Sequence, residues 1–189
     1  FLITGLLVDE VERSGMVALR SFFARRIRRL LPLASLVLVT TVLVGFWLLP
    51  PTRRVDFIAD ARSAALYFSN WRFAGQATAY SDVDVADGLF VHYWSLSIEE
   101  QFYLCWPALV ALCAGLVRRF RGWSIRAVLG SVVGLLILGS ATASVLMTHR
   151  LGSGAYFLTW LRIWELGIGA GLAIAVPRLP GMSTTVRGL

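Results

Sequence analysis

The sequence predicts an all-α, polytopic integral membrane helix bundle, and three observations carry that prediction. Apolar residues make up 57% of the 189-residue chain and charged residues only 15%, with a mean hydropathy of +0.71; soluble domains carry about 25% charge. Several long stretches hold no charged residue at all, each near the ~20 residues that a spanning helix needs. The basic excess is 18 Lys and Arg against 11 Asp and Glu, a net charge of +7, and every one of the 18 is arginine. These arginines gather in short connections, as they do in the cytoplasmic loops of helical membrane proteins. Disorder, coiled coil, collagen and a disulfide scaffold are excluded, and a bilayer explains the positive charge better than nucleic acid does.

The whole chain, 1–189, reads as one transmembrane domain. Its first element, near 1–8, is uncharged but too short to span, so the chain is expected to begin inside a membrane helix, as a fragment of a longer protein. Full spans are expected near 30–50, 101–117, 127–148 and 155–177, the last interrupted only by Arg162 and Glu165. The connection 9–29 is rich in arginine, 53–100 is mixed, and 118–126 carries only basic charge. Positive-inside bias and simple alternation then agree: the first and third connections are cytoplasmic and 53–100 is extracytoplasmic. That long external segment contains an amphipathic stretch, 55–71, expected as a surface helix, and a polar, acidic stretch, 76–88, expected as a loop. Gly130, Gly134 and Gly139, with Gly167, Gly169 and Gly171, suggest faces for close helix packing. Cys105 and Cys113, in one apolar run, are expected to be small core residues and not a disulfide.

Three stretches have residues suited to chemistry, each with a plainer alternative. In Phe22–Pro32, Arg25, Arg26, Arg28 and Arg29 crowd the mouth of a helix. Arg26 and Arg29, three apart, share a helical face and could grip a phosphate; they could equally be a positive-inside anchor on anionic lipid headgroups. In Val91–Pro107, Glu99 and Glu100 enter a span, where they suit a helix start by the macrodipole, with Ser95 or Ser97 as a cap, or serve catalysis. In Trp160–Gly167, Arg162 and Glu165 lie within a span, where charges are costly unless paired and facing protein or water; a functional pair and a structural one are both open. The chain has no Walker loop, dinucleotide fingerprint or zinc spacing, so no metal site is expected. His149, beside Arg150, reads as a plain loop residue.

Taken together, these stretches resemble the acyltransferase family 3 membrane proteins, the O-acetylases of lipopolysaccharide, peptidoglycan and other bacterial glycans. Phe1-Leu2-Ile3-Thr4 is similar to the end of the family's Ser-Gly-Phe-Leu-Ile-Thr helix, and Phe23–Pro32 to its Arg-rich segment. Tyr93–Pro107 resembles its Trp-Ser-Leu-x-x-Glu-x-Gln-Phe-Tyr block, with His92 before it. Arg162-Ile163-Trp164-Glu165-Leu166 resembles its Arg-x-Trp-Glu-Leu, found in a variant often fused to an extracytoplasmic esterase-like domain. Four blocks in order, over nearly the whole chain, are specific where each alone is not.

The resemblance implies a bundle of roughly ten spans in the bacterial plasma membrane, of which this chain is a part. It implies an enzyme that moves an acyl group, usually acetyl, from cytoplasmic acyl-CoA to a hydroxyl of a cell-envelope glycan. Acetyl-CoA is then a donor substrate and no cofactor is held; the partners are membrane lipids, acyl-CoA and the glycan acceptor, with no nucleic acid. Arg26 and Arg29 would bind the donor's phosphates, and His92 and Trp94 would contact the acceptor. Glu99, Arg162 and Glu165 would take supporting catalytic roles, because the family's principal histidine belongs to a helix before Phe1. A transporter or scaffold bundle without acyl transfer is the rival reading; it explains the spans but not the four blocks.

Overall fold

The computed structural model describes residues 1–79, 88–120 and 122–176, and among them every regular element is helical. The protein is an all-α membrane helix bundle. Among the described residues three helical segments, Leu19–Leu48, Tyr93–Arg119 and Ile125–Phe157, are long and apolar enough to cross a membrane. The chain divides into two compact units, and each is taken by itself.

One unit comprises Phe1–Ala18, Leu104–Ala143 and the described residues from Trp160 onward. Helix α1, Leu2–Ser14, buries Thr4, Leu7, Val8 and Val11, the spacing of a single helical face. It runs past the expected end at residue 8, through Asp9, Glu10, Glu12 and Arg13, and stops at Gly15. Gly15 adopts a left-handed φ of 73°, and its N–H donates to Val11 O at 2.8 Å, the αL cap that glycine makes without strain.

The other unit comprises Leu19–Tyr103 and Ser144–Thr159. Helix α2, Leu19–Leu48, starts eleven residues before the expected span at 30. Arginine is a good helix former and no Gly or Pro intervenes before Pro32, so the arginines continue the helix instead of preceding it. The pair Pro50-Pro51 stops it, because a residue before proline avoids the helical region. A 3-10 turn, Pro51–Arg53, follows.

The amphipathic stretch expected as one helix over 55–71 is two. Helix α3 is Arg54–Ala65 and α4 is Ser69–Ala79. Between them Tyr67 takes φ 56°, and the N–H groups of Phe68 and Tyr67 donate to Ser63 O (2.8 Å) and Ala64 O (3.1 Å). That is a Schellman ending with tyrosine where glycine is usual, invisible to a search for Gly or Pro. Arg72 on α4 pairs with Asp60 on α3, holding the two helices across the turn. The expected loop at 76–88 begins as helix, up to Ala79; residues 80–87 lie outside the described residues. Phe57, Phe73, Phe90, Tyr93 and Phe157 form this unit's aromatic core. The Phe57 ring sits where a Cβ on Gly45 would be, so glycine is required at that crossing.

Helix α5, Tyr93–Arg119, begins eight residues before the expected span, and residues 93–100, assigned to the external segment, are therefore helical. The carboxylates Glu99 and Glu100 sit two turns inside the helix. Neither candidate serine caps it: Ser97 Oγ donates back to Tyr93 O (2.7 Å) and Ser95 Oγ to His92 O (3.3 Å). Cys113 is buried as expected, whereas Cys105 is exposed.

Helix α6, Ile125–Leu151, is capped by Ser124, whose Oγ accepts from Ala127 N–H at 3.1 Å. A 3-10 segment, Gly152–Phe157, leads to α7, Thr159–Ala175. Helix α7 rises about 25 Å, less than the ~30 Å hydrocarbon core, and is shorter than the expected 155–177; residue 177 lies outside the described residues. Of the small-residue positions, Gly167 is the critical one: a Cβ there would lie 2.7 Å from Ile137 Cγ1, while Gly134 and Gly139 meet nothing within 4 Å.

Candidate functional site

The charged residues of the Arg-rich segment do not act alike. Arg26 is half-buried on α2, and its guanidinium donates to Glu100 through Nη2 to Oε1 at 2.6 Å and Nε to Oε2 at 3.3 Å. The same guanidinium lies 3.6 Å from the centroid of the Tyr103 ring, one turn beyond Glu100 on α5. This fork-to-carboxylate contact with a ring beneath it is the geometry at which arginine excels and lysine does not. Both side chains are mostly covered, at 17% and 18% exposure. Arg25, Arg28 and Arg29 are exposed. The two arginines expected to share one ligand therefore differ: Arg29 faces outward and Arg26 is neutralised.

Glu100 is fixed by its neighbour. Gln101 Nε2 donates to Tyr67 O (2.8 Å) and to Asn70 Oδ1 (2.9 Å). Gln101 Oε1 accepts from Thr159 Oγ1 at 2.6 Å and, more weakly, from Trp71 Nε1 at 3.4 Å. Asn70, fully buried, donates to Phe157 O and to Thr159 Oγ1. A buried amide with every partner made is a rigid element, and it sets the rotation of α5 that turns Glu100 to Arg26. Tyr67 lies within the field of the same pair. Burial raises its phenol above the ordinary value, and the Glu100 carboxylate adds to the rise while Arg26 opposes it.

Glu99 is exposed, with no ion-pair partner among the described residues. His92 is exposed, one residue before α5. Trp94 is half-buried, its ring 4.7 Å from that of Tyr156 and 5.7 Å from that of Phe157. The acceptor candidates thus sit at the start of α5, next to an exposed tyrosine.

In the other unit, Arg162 and Glu165 pair along α7, with Nη2 donating to Oε2 at 2.7 Å and Nε to the same oxygen at 3.2 Å. Ser140 on α6 brackets them: its Oγ donates to Trp160 O at 2.6 Å and accepts from Trp164 N–H at 3.1 Å. A hydroxyl at both ends of one helical ladder position ties α7 to α6 around Arg162. Lower on α6, Arg126 donates to both oxygens of Glu12 (2.6 and 2.9 Å) and to Ile174 O (3.2 Å). That hydrogen bond holds the Glu12 carboxyl below the usual carboxylate range, burial partly opposing it.

Tyr103, Gln101, Asn70 and Ser140 carry no signal of their own in the sequence, and Glu100 stands out there only as one of two adjacent carboxylates, without its partner. Glu100 and Gln101 stood in the quoted block beside Glu99, but their partners are far away along the chain. Only the i, i+3 spacing of Glu100 and Tyr103 was a local signal.

Comparison with known proteins follows the same blocks. The family model described as an acyltransferase domain, acyltransferase family 3, matches residues 1–184. The O-acetyltransferase OatA of Staphylococcus aureus is 35% identical over 177 residues, covering 94% of this chain and 28% of that protein. The peptidoglycan O-acetyltransferase OatA of Listeria monocytogenes is 30% identical over 178 residues, covering 94% and 28%. YrhL of Bacillus subtilis is 34% identical over 181 residues, covering 94% and 27%. The chain thus spans little more than a quarter of the length of the curated relatives it matches. No solved structure matches it.

Proposed function

This chain belongs to acyltransferase family 3, and from that premise we propose that it is part of a multi-pass O-acyltransferase of the bacterial plasma membrane. The enzyme moves an acetyl group from cytoplasmic acetyl-CoA to a hydroxyl of peptidoglycan or a similar cell-envelope glycan. The observation that carries this reading is the match along 94% of the chain to relatives named for O-acetyl transfer. The rival transporter or scaffold has no such support.

A sugar hydroxyl is a poor nucleophile until a base takes its proton as the oxygen attacks the thioester carbonyl. Collapse of the tetrahedral adduct then breaks the carbon–sulfur bond, and the coenzyme thiolate leaves and takes a proton. We assign the base to no histidine of this chain. Its residues serve binding and charge instead. Arg29, exposed, and Arg26 provide guanidinium forks for the donor's phosphates. His92 and Trp94 contact the acceptor. Glu99 balances charge near the reacting groups, and the Arg162–Glu165 pair lines the path as a polar element within α7.

The test uses the full-length protein in lipid vesicles, with isotopically labelled acetyl-CoA and a soluble peptidoglycan fragment. Donor consumption with a matching mass gain on the glycan is expected. Donor left untouched, with solute flux across the vesicle instead, would return the rival. Replacing both Arg26 and Arg29 by Gln should raise the KM for acetyl-CoA strongly while the protein still inserts, since each contact contributes roughly 1.5–3 kcal/mol. Lys replacements should rescue only in part.

A further inference from the structure

We propose that Arg26 has two positions, one on Glu100 and one on a donor phosphate, and that Glu100 is the positioning residue that sets how tightly acyl-CoA binds. The inference rests on the donor-binding role given to Arg26 above, and it adds a competitor for that role. Arg26 already directs its fork at a carboxylate, through Nη2 at 2.6 Å and Nε at 3.3 Å. A phosphate presents the same kind of paired oxygen acceptors. The two acceptors cannot hold one fork at once, so donor binding must displace Glu100.

The structure also indicates which partner moves. Glu100 belongs to a helix whose rotation is fixed by the adjacent Gln101, with its amide hydrogen bonds to Tyr67, Asn70 and Thr159. Arg26 hangs on a flexible stem one turn from the exposed Arg29, with the Tyr103 ring beneath its guanidinium. Swinging that stem brings Arg26 to the side where Arg29 waits, whereas moving Glu100 would unseat α5. In the resting state the pair keeps a mostly covered cation neutral. In the bound state two forks three residues apart clasp one phosphate group.

A competitor gives a sign that no ordinary binding or structural residue gives. In full-length protein in vesicles, Glu100→Gln should lower the KM for acetyl-CoA by about two- to fivefold, the worth of a partly exposed ion pair. Arg26→Gln should raise it, and Glu100→Asp should fall near the parent. Tyr103→Leu, which removes the ring under the guanidinium but keeps Glu100, should also lower KM, and it serves if Glu100→Gln inserts poorly.

A KM that rises or stays unchanged in both Glu100→Gln and Tyr103→Leu, while Arg26→Gln still raises it, would overturn the two-position inference and leave donor binding by Arg26 standing. An unchanged KM in Arg26→Gln would remove that donor role itself, and the inference with it. The vesicle lipid separates two sources of phosphate. If the Glu100→Gln gain appears in phosphatidylcholine but vanishes in phosphatidylglycerol, the freed fork goes to the anionic headgroup instead of the donor and the inference fails.

Discussion

Arg126 is held by two carboxylates and a helix end, and at the scale of single residues this contact has a pH signature. Asp9 lies 3.7 Å from its Nη2, and Glu12 accepts two hydrogen bonds from it. Because the Glu12 carboxyl is held low, its contribution to stability is complete above the unfolded carboxylate value and is lost as pH falls through the folded one. The Glu12 side chain is 41% exposed, so solvent screening keeps the effect to about 0.2–1 kcal/mol. Thermal unfolding in detergent, followed between about pH 6 and pH 3, should show a steeper loss for the parent than for Glu12→Gln. Coincident curves would mean that the pair contributes nothing. The Arg162–Glu165 pair predicts an effect on turnover instead. Glu165→Gln leaves Arg162 with a neutral partner inside α7, and should lower kcat more than it lowers the amount of inserted protein. An equal fall in both would leave only a structural role. The spacing of this pair was legible in the sequence because both partners lie on one helical turn. The Arg26–Glu100 pair was not, because a carboxylate 74 residues away leaves no periodic trace.

Elements obey local rules until tertiary contacts override them, and the turn between α3 and α4 is a clear instance. The sequence 55–71 has the alternation of one amphipathic helix and no breaker, yet the chain turns at Tyr67, with φ 56°. Gln101 accounts for it: its Nε2 donates to the Tyr67 carbonyl, which the turn frees from the helix. A left-handed non-glycine residue costs about 1–2 kcal/mol. Tyr67→Gly should therefore be more stable than Tyr67→Ala by about that amount, since both lose the ring and only the alanine keeps the strain. Equal stabilities would show that the turn is unstrained. Gly167 reverses the usual helix rule. Replacing a helical glycine by alanine normally gains about 1 kcal/mol, but here the new Cβ would meet Ile137 at 2.7 Å, and overpacking costs about 1–3 kcal/mol. Gly167→Ala should destabilise, and in the same unfolding assay its cost should shrink in an Ile137→Ala background, which removes the Cγ1 that the new Cβ would meet. The glycine pattern in the sequence marked the face without ranking its positions, because which glycine meets a branched side chain depends on how α6 and α7 cross.

Across the molecule, the charge pattern and the helix lengths bear on one question, the side of the membrane on which each connection lies. Hydropathy located the apolar centres of α2, α5 and α6 but misplaced their ends, because arginine and glutamate are good helix formers and carried the helices past the apolar runs. Helix α2 rises about 45 Å, well beyond the ~30 Å hydrocarbon core, so its first turns, with Arg20, Arg25, Arg26, Arg28 and Arg29, extend into a headgroup layer. Anionic lipid on the cytoplasmic leaflet favours basic residues there by roughly 1 kcal/mol each. Arg118 and Arg119 end α5 and Arg126 opens α6, so the connection between them should lie on the same side. The exposed residues that follow α6, Gly152 and Ser153, carry no charge and should lie opposite. Single cysteines placed in a background with Cys105 and Cys113 replaced will decide it. An impermeant maleimide should label Ser153→Cys in intact cells, and Trp123→Cys only after the membrane is opened. The reverse pattern would put the arginine-rich turns outside, away from the cytoplasmic donor proposed above, and would remove the proposed donor-binding role of Arg26 and Arg29 together with the topology.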